Sequence, residues 1–160
     1  MRLPSTGRIS QVTSDVIEPR RAALGDLGGL VPLIRSFYEV DRHEFDESRV
    51  RSALTPLLVD DTFGQVWVTE VGGVLTGYAV VTWSYSLESG GRDCILDEIY
   101  VEQRSGGTGS RLLQAAMAGA TEAGARAVFL ETEVHNQRVR SFYARHGFQE
   151  EDSVWMSRSM

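Results

Sequence analysis

The chain has no lysine and only one cysteine, Cys94, in 160 residues. A lone cysteine excludes an intrachain disulfide and any cysteine-based metal cluster, and this usage fits a cytoplasmic setting. The missing lysine excludes a Walker-type loop, whose closing lysine reaches the outer phosphates of ATP or GTP. Long apolar runs are absent as well. No window approaches the ~20 apolar residues that a membrane span needs, and the N-terminal MRLPSTGRISQVTSD carries arginines without the apolar stretch of a signal peptide. The expectation is a protein without membrane association, with residues 1–13 as a flexible extension and residues 14–160 as a single domain. A hydrophobic content of 42% is enough for such a domain to bury a sizeable core.

Charge is unevenly spread. Residues 1–99 hold nine arginines against fifteen acidic residues, whereas residues 100–160 hold seven of each, so the whole net charge of −6 lies in the first part. An acidic surface opposes nucleic-acid phosphates and favours cationic small molecules, so no nucleic-acid partner is expected. His135 and His146 stand eleven positions apart with no third ligand nearby. No metal site is expected from them; they read as surface or helix-end histidines.

Periodicity divides the chain into alternating elements. VIEPRRA, from Val16, reads as a short first strand, and the helical spacing of Leu30, Val31, Ile34 and Phe37 predicts a helix starting near Gly29, with Pro32 in its first turn. A second helix is predicted over residues 46–59 with Asp46 as N-cap. GQVWVTEV, the Gly72-Gly73 turn and VLTGYAVVTWSYSL form a hairpin pattern, and a further turn at Ser89-Gly90-Gly91 leads into CILDEIYV. Then come a helix bearing Leu112, Leu113, Ala116, Met117 and Ala120 that stops at Gly124, a strand in ARAVFLETEV, and a last helix from Asn136 to Gly147. FQEEDSVWMSRSM reads as one or two closing strands. The strand, helix, strand order over residues 94–133 predicts a right-handed crossover, and so one parallel pair in an otherwise antiparallel sheet.

The loop before the third helix, QRSGGTGSRLL, holds three glycines at a helix start, where unpaired N–H groups and the helix dipole favour phosphate. It is not a dinucleotide fingerprint, because counting from Gly107 and Gly109 puts Leu112 where the third glycine belongs. Arg104-Ser105-Gly106-Gly107-Thr108-Gly109 followed by Leu112-Leu113 instead resembles motif A of the GCN5-related N-acetyltransferases (GNAT). LDEIYV upstream looks like that family's central strand, and EVHNQRVRSFYARHGF downstream is similar to its closing motif, in which Asn, a helix and Tyr-x-x-x-Gly-Phe recur. Only Glu102 and Gln103 separate Val101 from Arg104, a shorter link than the family commonly has, and Ser105 stands where glycine is frequent.

The resemblance implies an α/β (α+β) fold: a central, mostly antiparallel mixed sheet of six to seven strands, about four flanking helices, and a splay between the central parallel strands. It implies acetyl-CoA as co-substrate, with Arg104, Ser105, Gly106, Gly107, Thr108, Gly109 and Ser110 holding the pyrophosphate through backbone N–H groups. Ile99, Tyr100 and Val101 on the splayed strand, with Asn136 and Tyr143, would bind the pantetheine arm. The implied reaction is acetyl transfer to a primary amine of a small, cationic molecule or a peptide. Because an alkylamine with a pKa of ~10.4 is a cation at neutral pH, a base must remove its proton. Asp97 and Glu98 are the candidates; strand alternation predicts that only one faces the acceptor, and Glu98 shares a face with Tyr100. Glu102 is a third candidate. Tyr143 would act as general acid toward the departing thiolate. Tyr38, His43, Trp83 and Tyr85, with Glu44, are the candidate acceptor wall. The alternatives are a non-catalytic acyl-CoA-binding module and transfer of another acyl group, and the family also allows a homodimer.

Overall fold

The Gly72-Gly73 turn sets the middle of the sheet. Both residues are left-handed, with φ of 58° and 81°, as a two-residue hairpin turn between right-twisted strands requires. A computed structural model describes residues 17–104 and 106–159; the expected extension over residues 1–13 lies outside the described residues. In chain order the elements are β1 (Arg20–Arg21), α1 (Leu27–Asp41), α2 (Glu47–Val59), β2 (Gly64–Val71), β3 (Val74–Ser86), β4 (Gly91–Val101), α3 (Thr108–Glu122), β5 (Val128–Phe129) and α4 (Gln137–Arg145).

The sheet order is β1-β2-β3-β4-β5, antiparallel except for the parallel β4–β5 pair. Two apolar layers cover its faces. Leu30, Leu33 and Ile34 of α1 and Val50, Leu54 and Leu58 of α2 pack on Val66, Val68, Tyr78 and Val80. On the other face, Leu112, Leu113 and Ala116 of α3, with Tyr143 of α4, pack on Ala79, Val81 and Leu96. The α2 start follows the predicted chemistry, since Asp46 accepts a hydrogen bond from the Arg49 backbone N–H at 3.0 Å.

Three expectations are corrected. The first helix begins at Leu27, so Pro32 lies in its second turn. This is tolerated because the carbonyl deprived of its partner, that of Gly28, sits on an exposed residue where water can replace the missing N–H. The strand expected over residues 125–134 shrinks to Val128–Phe129. Among the described residues the closing strands do not form, and the described sheet has five strands rather than six or seven. A β-branched and aromatic run becomes a strand only where a neighbouring edge supplies the ladder. Val154, Trp155 and Met156 are exposed, and the tail is tied to the body through Arg140, which donates to Glu150 at 2.9 Å.

Candidate active site

The site is built where β4 and β5 part. Their register stops at Cys94 opposite Val128 and Ile95 opposite Phe129, yet β4 runs on to Val101. A cavity of about 1040 Å³ opens in this splay. One wall is β4 from Leu96 to Val101, the other is residues 131–133 and α4, and α1 and the start of α3 close the ends.

A bulge in β4 decides which carboxylates face the cavity. Opposite β3, Val81 pairs with Leu96 and Val80 with Glu98, which leaves Asp97 as the extra residue. A bulge of this kind interrupts side-chain alternation. Leu96 therefore joins the layer under α3, while Glu98 reaches the α1 side. Both Asp97 and Glu98 line the cavity, in contrast to the strict alternation expected from sequence.

Glu98 is gripped by two tyrosines. The Tyr38 hydroxyl donates to Oε1 at 3.0 Å, and the Tyr78 hydroxyl donates to Oε2 at 2.6 Å. Burial pushes the Glu98 carboxyl above the usual carboxylate range; the two hydrogen bonds and nearby His43 oppose that push, and Asp97 adds to it. Asp97 opens onto the cavity, and the surrounding protein also raises its carboxyl. Burial, helped by Glu98, raises the Tyr38 phenol to about 12 and drives that of Tyr78 upward as well.

His43 is placed by the end of α1. Arg42 takes the left-handed conformation, φ 60°, so that the His43 N–H bonds back to the Tyr38 carbonyl at 2.9 Å. The imidazole then lies edge-on to Tyr38, with centroids 5.8 Å apart, and its Nε2 stands 2.7 Å from Asp41 Oδ2. Of the four acidic residues in this connection, Asp46 caps α2 and Glu47 pairs with Arg35 and Arg51. Asp41 and Glu44 remain on the cavity wall.

Tyr143 faces this group from α4. Its ring is wedged between Phe142 and Phe148, at 5.3 and 5.5 Å, and burial alone raises its phenol to about 12. At the far end, Gly107 caps α3 with φ 73°, and the first helical bond runs from the Arg111 N–H to the Gly107 carbonyl. The N–H groups of Thr108, Gly109 and Ser110 thus have no intrahelical acceptor, and all three residues line the cavity beside Arg104. Arg111 braces the short loop, donating to the carbonyls of Gly106 at 2.7 Å and Ile17 at 3.0 Å.

The model of the acetyltransferase (GNAT) family matches residues 31–148. The chain belongs to this family. An uncharacterised N-acetyltransferase of Bacillus subtilis, YhfO, is 30% identical over 134 residues, covering 82% of this chain and 89% of the relative. Among solved structures, an integron cassette protein from the mobile metagenome of Cole Harbour salt marsh superposes with a TM-score of 0.79 at 28% identity, over 89% of this chain and 90% of that one. The aminoglycoside N-acetyltransferase AAC(6')-Iy, solved in complex with CoA, shares the fold with a TM-score of 0.77 at 18% identity, over 89% of this chain and 94% of that one. This GNAT protein is accordingly an acyltransferase enzyme.

The acetyltransferase cavity gathers most of the residues singled out from sequence: Tyr38, His43, Asp97, Glu98, Ile99, Tyr100, Val101, Arg104, Gly107, Thr108, Gly109, Ser110, Asn136 and Tyr143. Ser105 lies outside the described residues, and Gly106 is described but sits off the cavity wall. Asn136 caps α4, accepting from the Val139 N–H at 3.3 Å. Trp83 and Tyr85 do not reach the cavity. They pair with Cys94 and Arg92 at the opposite end of β4, where the Trp83 indole donates to the Asp61 carbonyl at 2.7 Å and Tyr85 is exposed to solvent. Glu102 is exposed and also stands off the wall. Among the described residues no group of three or more potential metal ligands occurs, and no helix is long and apolar enough to cross a membrane.

Sequence reasoning missed Tyr78, Arg138 and Arg145. Tyr78 reads in sequence as an ordinary aromatic strand residue, and only the β3–β4 register brings it to Glu98. The two arginines lie seven positions apart on α4 and both reach the cavity; helical spacing beside the Asn136 cap was the available signal.

Proposed function

We propose that this GNAT enzyme transfers an acetyl group from acetyl-CoA to a primary amine of a small, cationic molecule, by direct attack. The observation that carries this reading is one continuous cavity with the start of α3 at one end and an acidic, tyrosine-lined chamber at the other. Its volume, about 1040 Å³, is at the upper limit of the roughly 300–1,000 Å³ of ordinary ligand pockets, as two reactants require.

The free N–H groups of Thr108, Gly109 and Ser110, with the Arg104 guanidinium, suit the pyrophosphate of acetyl-CoA. The edge of β4 from Ile99 to Val101 that the splay leaves unpaired with β5 supplies donors and acceptors for the pantetheine amides. Glu98 is the general base. A carboxyl raised by burial is a better proton acceptor than an ordinary one, and its two bonded oxygens still have lone pairs for the ammonium N–H. Asp97, Asp41 and Glu44 attract and orient the cation. A peptide amine remains compatible with the same chemistry.

Tyr143 supports departure of the thiolate. A phenol at about 12 stays protonated across the neutral range, so its O–H is always available as donor. Complete transfer to a thiolate of pKa ~8.5 would run uphill by about 5 kcal/mol, so the hydroxyl acts mainly through a hydrogen bond to the developing sulfur charge.

Thiol release from acetyl-CoA, followed across a panel of polyamines, aminoglycosides and N-terminal peptide amines, tests this. Aminoglycosides belong in the panel because the structurally similar AAC(6')-Iy is an aminoglycoside N-acetyltransferase. Turnover with cationic amines that is lost in Glu98→Gln is expected. Micromolar acetyl-CoA binding without turnover on any amine would overturn the assignment, and turnover with succinyl- or propionyl-CoA in its place would redirect it to another acyl group.

A further inference from the structure

The Glu98 carboxylate is held at both oxygens by groups from two separate elements of the fold. Tyr38, on α1, lines the cavity; Tyr78, on β3, does not, and it is wholly buried, with no exposed surface. Each hydroxyl takes a different carboxylate oxygen, at 3.0 Å and 2.6 Å. A phenol placed this way can satisfy the carboxylate only by donating, because an ionised carboxylate is an acceptor alone. Neither tyrosine is demanded by packing: phenylalanine would fill the same apolar space, and a buried hydroxyl needs a partner to justify its desolvation.

We propose that Tyr78, with Tyr38, forms a two-hydroxyl clamp that fixes the orientation of Glu98 and favours its carboxylate form, and that Tyr78 is a positioning residue of the transferase reaction. This rests on Glu98 acting as the base. The division of labour follows from exposure. Tyr38 is the member an incoming amine can meet, whereas Tyr78 touches only the carboxylate and the surrounding apolar layer. The bulge at Asp97 is what makes the clamp possible, because without it Glu98 would share the face of Leu96, beneath α3.

The other charged groups around Glu98 do not replace the clamp. On its own strand Asp97 opposes ionisation, and the Tyr100 ring packs against that of Tyr78, with centroids 6.3 Å apart. From the α1 end, His43 favours ionisation but stands 2.7 Å from Asp41, and Glu44 has the opposing sign. Arg49 of α2 acts on Tyr38. Across the cavity stand Tyr143, the acidic pair Glu131 and Glu133, and the guanidinium groups of Arg104, Arg138 and Arg145. Among the described residues, the carboxylate oxygens of Glu98 bond to Tyr38 and Tyr78 and to none of these groups.

The test is Tyr78→Phe, read in two ways. First, the Glu98 carboxyl is titrated by ¹³C NMR in the protein without acetyl-CoA, its signal assigned by its loss in Glu98→Gln. Loss of one donor to the anion should move the midpoint up by about one pH unit. Second, the acid limb of kcat/KM for the best amine should move up by the same amount, with the amine KM within about threefold of the parent and the high-pH plateau largely retained. A cooperative melt shows that the variant folds; if it does not, Tyr38→Phe carries the same titration. An unmoved midpoint in a folded variant overturns the clamp, even if the enzyme acetylates amines. A moved midpoint with no turnover on any amine would uphold the clamp and sink the transfer reading instead.

Discussion

Leu96 and Glu98 are two residues apart on one strand and lie on opposite faces of the sheet. Leu96 is buried under α3, and Glu98 is bonded to tyrosines of α1 and β3. A regular strand would put both on the same face, so the extra residue Asp97 is what turns a carboxylate into the cavity.

Glu98→Gln should lower kcat by about 10²- to 10⁴-fold, the range of a lost general base, whereas Asp97→Asn should lower it less than about tenfold and act chiefly on the amine KM. Steady-state rates of thiol release at saturating acetyl-CoA separate the two. Equal kcat losses would remove Glu98 from its special place.

Stability should respond to Glu98 in the opposite sense. A carboxyl whose folded pKa lies above its unfolded value favours folding fully at low pH, and that advantage is lost as pH rises through the folded pKa. Ionised Glu98 therefore weakens the fold at neutral pH, and neutral Gln does not. Glu98→Gln should melt higher than the parent at pH 7, with the difference vanishing below about pH 4. Thermal melts across pH 3 to 8 check both the sign and the window.

Tyr143→Phe should reduce kcat by about 10²-fold and leave the melting temperature nearly unchanged. Its hydroxyl makes no hydrogen bond among the described residues, so none would be broken, and the ring packing against Phe142 and Phe148 is retained. A large drop in melting temperature would show that the hydroxyl serves the fold.

Gly107→Val should abolish acetyl-CoA binding by calorimetry. A β-branched residue at φ 73° is strained by about 1–2 kcal/mol and would tilt the N–H groups that follow, while the rest of the domain keeps its cooperative melt. Unchanged affinity would refute the phosphate role of this loop.

Arg111→Ala should raise the KM for acetyl-CoA by about tenfold with little change in kcat, as loss of charge-assisted bonds to the Gly106 and Ile17 carbonyls loosens the loop. Initial rates at varied acetyl-CoA test it. A kcat effect with unchanged KM would place Arg111 elsewhere in the mechanism.

Sequence by itself determined the features whose physics is local. The Asp46 and Asn136 caps, the Gly72-Gly73 turn, the apolar faces of the helices and the glycine start of α3 follow from bonds and spacings within a few residues. The motifs around Arg104 and Tyr143 marked the family for the same reason. Tertiary structure decided what depends on register and on neighbours. The bulge at Asp97 shows only against β3, Tyr78 meets Glu98 only across the ladder, and Trp83 and Tyr85 fall at the wrong end of a long strand. The tail bearing Val154 and Trp155 has the composition of a strand but no described edge to pair with, and a ladder hydrogen bond needs two partners.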